Sequence, residues 1–89
     1  MKVFLTNTFN RFVKKLHRNQ VPYLEAIIDK LQVNPLLGNL KVGDLDGIRV
    51  YKFHILHQLI LLAYIYNKEN DTITLLSIAT HENFYSNIK

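Results

Sequence analysis

Apolar residues recur with helical spacing through the first third of the chain. Phe9, Phe12, Val13 and Leu16 stand at i, i+3, i+4 and i+7, so a helix places all four on one face. Arg11, Lys14, Lys15 and Arg18 then fall on the other face, and the helix is amphipathic and basic. Thr6-Asn7-Thr8 supplies side-chain oxygens for its N-cap. Leu24, Ile27, Ile28 and Leu31 repeat the spacing in a second helix, with Pro22 in its first turn, where a missing N–H costs nothing. Asn34-Pro35 ends it, because proline disfavours α geometry in the residue before it. Two helices with so short a connection predict an antiparallel αα-hairpin. Ahead of them Val3-Phe4-Leu5 reads as a short edge strand.

Leu36 to Gly47 reads as a loop, since all three glycines lie there together with Asn39, Asp44 and Asp46. From Arg49 the period becomes two. Tyr51, Phe53 and Ile55 point one way, Val50, Lys52 and His54 the other. Leu59 to Tyr66 is almost wholly apolar, as for a central strand covered on both faces. Asn67 to Asp71 is a polar turn, and Thr72 to Ala79 a further strand. Connections this short force antiparallel pairing. Thr80 can cap a last helix, with Glu82 in its first turn and His81, Phe84, Tyr85 and Ile88 along one stripe. The predicted class is α+β: an N-terminal strand and αα-hairpin packed on an antiparallel sheet, closed by a short C-terminal helix.

The bulk properties narrow this further. Eighty-nine residues make one domain, 1–89, which buries about 60–65% of its unfolded surface. With 48% hydrophobic and 20% charged residues the composition is that of a globular protein. Cysteine is absent, which removes disulfides, thiolate metal sites and cysteine nucleophiles, and suits a reducing compartment. Neither a signal-peptide core nor a run of the roughly 20 apolar residues a membrane helix needs is present, so a cytoplasmic protein without a membrane partner is expected. A formal charge of +4 favours a polyanionic partner, nucleic acid or an acidic protein. Four histidines without consistent spacing suggest no metal site, and no cofactor is expected.

This order of elements resembles the RelE/ParE superfamily of bacterial toxin–antitoxin toxins. The matching segments are Val3-Phe4-Leu5-Thr6 before the basic helix and Asn34-Pro35-Leu36-Leu37-Gly38 after the second. They continue with Gly43-Asp44-Leu45-Asp46-Gly47-Ile48-Arg49 entering the sheet and Ile78-Ala79-Thr80-His81 before Phe84-Tyr85. The His81-Glu82-Asn83-Phe84-Tyr85 ending is similar to that of a ParE-like subgroup. The resemblance implies a bacterial toxin held inactive by a cognate antitoxin, with one of two activities. Some members cut mRNA on the ribosome; ParE-like members poison DNA gyrase. Fold does not choose between them.

Metal-free RNA cleavage needs a base for the 2′-hydroxyl, an acid for the leaving 5′-oxygen, and cations for the developing charge. His81 is the leading acid–base candidate, with Tyr85 beside it as in the YafQ-like branch of the family. An imidazole in an apolar stripe is also a common packing residue. Lys52 and His54 share one strand face, and the resemblance implies that mRNA lies on the sheet's concave side. The same alternation is what any solvated strand face shows. Arg49 suits phosphate contact, and His57 is a reserve candidate in the RNA-binding set. Phe84 or Tyr85 could stack on an unstacked base. Tyr51, Tyr64 and Tyr66 read as sheet packing, and His17 as a surface residue. An antitoxin would cover Arg11, Lys14, Lys15 and Arg18. One departure stands out: RelE-like sequences usually carry an arginine on the second long strand, where Gln58-Leu59 stands here.

Overall fold

The computed structural model describes residues 1–41 and 47–80. Strand β1 (Lys2–Leu5) leads into helix α1 (Asn7–Lys15), a 3₁₀ turn (Arg18–Gln20) and helix α2 (Val21–Val33). Strands β2 (Asn39–Leu40), β3 (Arg49–Ile55), β4 (Gln58–Asn67) and β5 (Thr72–Thr80) follow. Among the described residues the strands form one five-stranded sheet in the order β1-β5-β4-β3-β2. The three long strands pair antiparallel, as their short connections require. The sheet as a whole is mixed, because β1 pairs parallel to β5, Lys2 beside Thr72 and Leu5 beside Leu75. Its connection to β5 runs through both helices, long enough for a crossover, and β1 takes the edge position expected of it. The segment read as a loop contains β2, whose two residues pair with Val50 and Arg49.

Thr6 joins the first two elements to the sheet. Its Oγ1 accepts the Phe9 N–H at 3.1 Å as the N-cap of α1, and its hydroxyl donates to the Leu76 carbonyl at 2.8 Å. Leu76 is the extra residue of a β-bulge, lying between the pairs Ala63–Ser77 and Tyr64–Leu75. The hydroxyl thus ties the start of α1 to the bulge, its Oγ1 also lying 3.1 Å from the Leu75 carbonyl. Thr6→Ala removes both bonds and is expected to cost about 1–2 kcal/mol in chemical denaturation, with Thr6→Ser recovering most of it.

The helices cover one face of the sheet. Phe9, Leu24 and Leu31 meet Phe53, Ile55, Leu62, Tyr64 and Ile73 in the main core, with Phe12, Val13 and Leu16 at its margin. The apolar stripe read from α1 is therefore its buried face, and Arg11, Lys14, Lys15 and Arg18 are exposed. Proline stands in the first turn of α2, and Asn34 caps its end. On the other face a smaller cluster, Val50, Leu61 and Ala63, is buried with Ile48, Leu76 and Ala79 around it. The alternation of β3 holds, with Val50 buried on the face that carries Lys52 and His54. β4 is central and buried from Ile60 to Tyr64, with Ile65 exposed.

β3 and β4 are joined by a two-residue loop, Leu56-His57, closed by the pair Ile55–Gln58. Both loop residues have positive φ, 48° and 74°. This is the pattern of a type I′ hairpin turn, which favours Asn-Gly. For other L-residues the left-handed region costs roughly 1–2 kcal/mol each. The turn ends the strand alternation at Ile55 and places His57 in the loop.

Candidate functional site

The face of the sheet away from the helices carries the cationic candidates. Lys52 and His54 alternate with buried Phe53 and Ile55, so both side chains are exposed on the side of Val50. Register places Lys52 beside Leu61 and His54 beside Leu59; Leu61 in turn lies beside Ala79. The lysine and imidazole thus form one short row along β3, two residues apart, running towards the hairpin tip. His57 stands at that tip, exposed. The neighbouring β4 contributes Leu59, Leu61 and Ala63 to this face and no cation.

Arg49 begins the same strand but is engaged elsewhere. Its guanidinium donates to the Gly38 carbonyl at 2.9 Å. The Gly38 N–H donates to the Tyr64 hydroxyl at 2.8 Å, and that hydroxyl donates to the Pro35 carbonyl at 2.7 Å. Tyr64 is fully buried, so one phenol holds the segment after α2 at both ends. Burial pushes the Tyr64 phenol above the ordinary tyrosine range, while the Gly38 N–H and the Arg49 charge pull it back. Tyr64 is sheet packing, as expected from its strand, with a polar role that periodicity could not show. The only sequence trace of this clamp is the Asn34-Pro35-Leu36-Leu37-Gly38 run itself.

At the hairpin end, on the helix side, a groove of about 490 Å³ opens between α1 and the strands. Phe12, Leu16, Ile60 and Ile78 form its apolar floor; Lys15, His17, Gln20 and Gln58 stand among its polar residues. The ammonium of Lys15 lies 5.7 Å from the centre of the Phe12 ring, within cation–π range. His17 is exposed, as its place beside the basic helix suggested, and it lines the groove. The cations Arg11 and Lys14 continue the basic surface along α1.

The structure brings Lys52, His54 and His57 to one end of the sheet and separates Arg49 from them by committing it to Gly38. His81, Phe84 and Tyr85 lie outside the described residues. Among the described residues no three His, Asp or Glu side chains cluster closely enough to hold a metal ion. Nor is any helix there long and apolar enough to cross a membrane.

Solved structures with the same architecture are numerous. A chain of the RelBE2 toxin–antitoxin complex from Mycobacterium tuberculosis is 22% identical, with a TM-score of 0.71 over 90% of this chain and 96% of its own. A mutant of Escherichia coli toxin RelE in the free state is 13% identical, with a TM-score of 0.74 over 98% and 87%. The YoeB/ParE toxin from Agrobacterium tumefaciens is 16% identical, with a TM-score of 0.70 over 91% and 99%. At these identities the likeness is one of fold. No curated protein matches in sequence. The sequence model of the ParE-like toxins, however, matches residues 3–89. The α+β sheet with its two helices, its connections and nearly every residue are thus accounted for by one family: this chain belongs to the ParE-like toxins of type II bacterial toxin–antitoxin systems.

Proposed function

We propose that this toxin cuts mRNA held in the ribosomal A site of the bacterial cytoplasm and so arrests translation. The observation that carries the reading is the exposed pair Lys52 and His54, side by side on the face of the sheet opposite α1 and α2. An ammonium and an imidazole two residues apart can both reach one phosphodiester. The lysine offsets the charge that develops on the phosphorane, and His54 carries a proton. The 2′-oxygen loses its proton to a base and attacks phosphorus; the 5′-oxygen takes a proton from an acid and leaves, giving a 2′,3′-cyclic phosphate. His81 is proposed as the second acid–base imidazole and Tyr85 as the ring that orients the RNA, with Phe84 and His57 as further contacts. The ribosome is part of the proposal because so few groups can align a substrate unaided, and alignment supplies a large share of such a rate.

A cognate antitoxin is proposed to silence the toxin by laying an acidic or amphipathic segment over Arg11, Lys14, Lys15 and Arg18. All four are exposed along α1 and the turn after it.

A second reading, inhibition of DNA gyrase without chemistry on nucleic acid, has its own support. β4 sets Leu59 and Leu61 beside His54 and Lys52 where a second cation would strengthen a nuclease, and Arg49 is tied to Gly38. Primer extension on ribosome-bound mRNA, run beside a gyrase supercoiling assay with the same purified protein, separates the two. Breaks within the translated frame and undisturbed supercoiling are expected; intact mRNA with blocked supercoiling would replace the first reading by the second. Loss of cutting in His81→Ala would give that residue its role; undiminished cutting would remove it.

A further inference from the structure

We propose that the hairpin tip Leu56-His57 is a recognition element that takes an unstacked base of single-stranded RNA, the His57 ring stacking on the base and Leu56 wedging against it. The proposal deepens the RNA-directed reading and rests on it. Three observations converge on the tip. Both residues hold positive φ in a turn where Asn-Gly would sit without strain. Strain that a simple sequence change would relieve points to side chains that are needed where they stand. Secondly, Leu56 is 51% exposed, a large apolar side chain half in solvent, and His57 is exposed beside it. An apolar chain and a flat ring projecting together are what an unpaired base packs against.

The third observation is charge. On the face opposite α1 and α2 the tip is flanked by Lys52 and His54, and behind Gln58 lies the groove with Lys15 and His17. No carboxylate lies on β3, the tip or β4, and among the described residues none lines the groove. Among the described residues Glu69 and Asp71 occupy the turn at the opposite end of β4, and Glu25 and Asp29 lie on α2. A polyanion approaching the sheet therefore meets attraction at the hairpin end. The tip stands where a strand passing from Lys52 and His54 towards the groove would bend, and a bend is where a base leaves its stack.

The test uses the purified chain and a short fluorescein-labelled single-stranded RNA. The double substitution Leu56→Asn/His57→Gly fits the turn and is expected to raise the melting temperature while weakening RNA binding about tenfold, the scale of one lost base stack. His57→Phe keeps a stacking face and is expected to retain most of the affinity. Binding by the Asn-Gly variant as tight as that of the wild type would overturn the proposal, as would failure of the wild type to bind RNA. A melting temperature that falls would overturn the strain argument on which it stands. Cleavage of ribosome-bound mRNA by the wild type is scored separately. Bound but uncut RNA would end the nuclease reading and leave the tip's role intact.

Discussion

Lys52→Ala is expected to slow cleavage of ribosome-bound mRNA about a hundredfold, and His54→Ala by a similar factor. The magnitude follows from what each group does. A cation placed where charge develops in the transition state is worth far more there than in the bound substrate, so its loss appears in the rate of the cutting step. Loss of a proton carrier acts on the same step. Lys52→Arg keeps the charge and is expected to recover part of the rate, although the planar guanidinium cannot reproduce the position of the ammonium. Both residues are exposed on β3, with Leu61 and Leu59 as their cross-strand neighbours. Removing them therefore takes nothing from the core, and stability is expected to stay within about 0.5 kcal/mol of the wild type. Single-turnover cleavage and a denaturation curve on the same preparations provide the check. A hundredfold loss accompanied by a large loss of stability would assign the effect to folding.

The largest structural effect is expected at Gly38. A Cβ added there would lie 2.8 Å from both Cε1 and the hydroxyl of Tyr64 and 3.1 Å from Cζ. A flexible side chain would swing away. Tyr64 cannot, because its ring is buried in the main core and its hydroxyl is held between the Pro35 carbonyl and the Gly38 N–H. Gly38→Ala is expected to destabilise the chain by about 3 kcal/mol, the upper range of overpacking in a filled site. Tyr64→Phe keeps the ring but leaves the buried Gly38 N–H unpaired, at a cost of about 2 kcal/mol. Because the two residues touch, the double variant is expected to lose less than the sum of the two.

The same phenol gives the fold a signature in alkali. The folded state holds the Tyr64 proton more tightly than the unfolded chain does. Its contribution to stability is fully present below the ordinary tyrosine pKa of about 10 and is lost as pH rises through the higher folded value. An ionised Tyr64 can no longer donate to Pro35. Urea midpoints measured from neutral pH upward are expected to fall above about pH 10, and to fall less steeply in Tyr64→Phe.

Most of the architecture was legible because local rules and the fold agree. The i, i+3, i+4, i+7 spacing of Phe9, Phe12, Val13 and Leu16 matches the face that α1 buries, and Thr6 and Asn34-Pro35 mark real helix ends. The bounds of β3, β4 and β5 followed from alternation and from the polar turn at Asn67 to Asp71. What sequence reading did not supply depends on contacts between distant segments. The parallel pairing of β1 with β5 joins residues seventy positions apart, and no local pattern encodes it. Nor does one reveal that Leu76 bulges out of β5 to meet Thr6, or that Arg49 turns back to Gly38.

The candidate site was legible only as residue types on a face. Alternation put Lys52 and His54 together, and they are together and exposed. The apolar run of Leu59 to Tyr66 already implied an apolar strand beside them; only the register shows Leu61 and Leu59 as their direct neighbours. Alternation left His57 unplaced, because a Leu-His turn carries none of the glycine or asparagine that usually marks a hairpin. The strain there is visible only in the backbone angles.

Cross-linking from a thio-substituted uridine in the A-site codon of a programmed ribosome, with mass-spectrometric identification of the attached peptide, measures directly which surface meets the mRNA. Cross-links on β3 and its hairpin, between Arg49 and Gln58, are expected. Cross-links confined to α1 and α2, or none with the toxin bound to the ribosome, would contradict the assignment of the Lys52–His54 face to RNA.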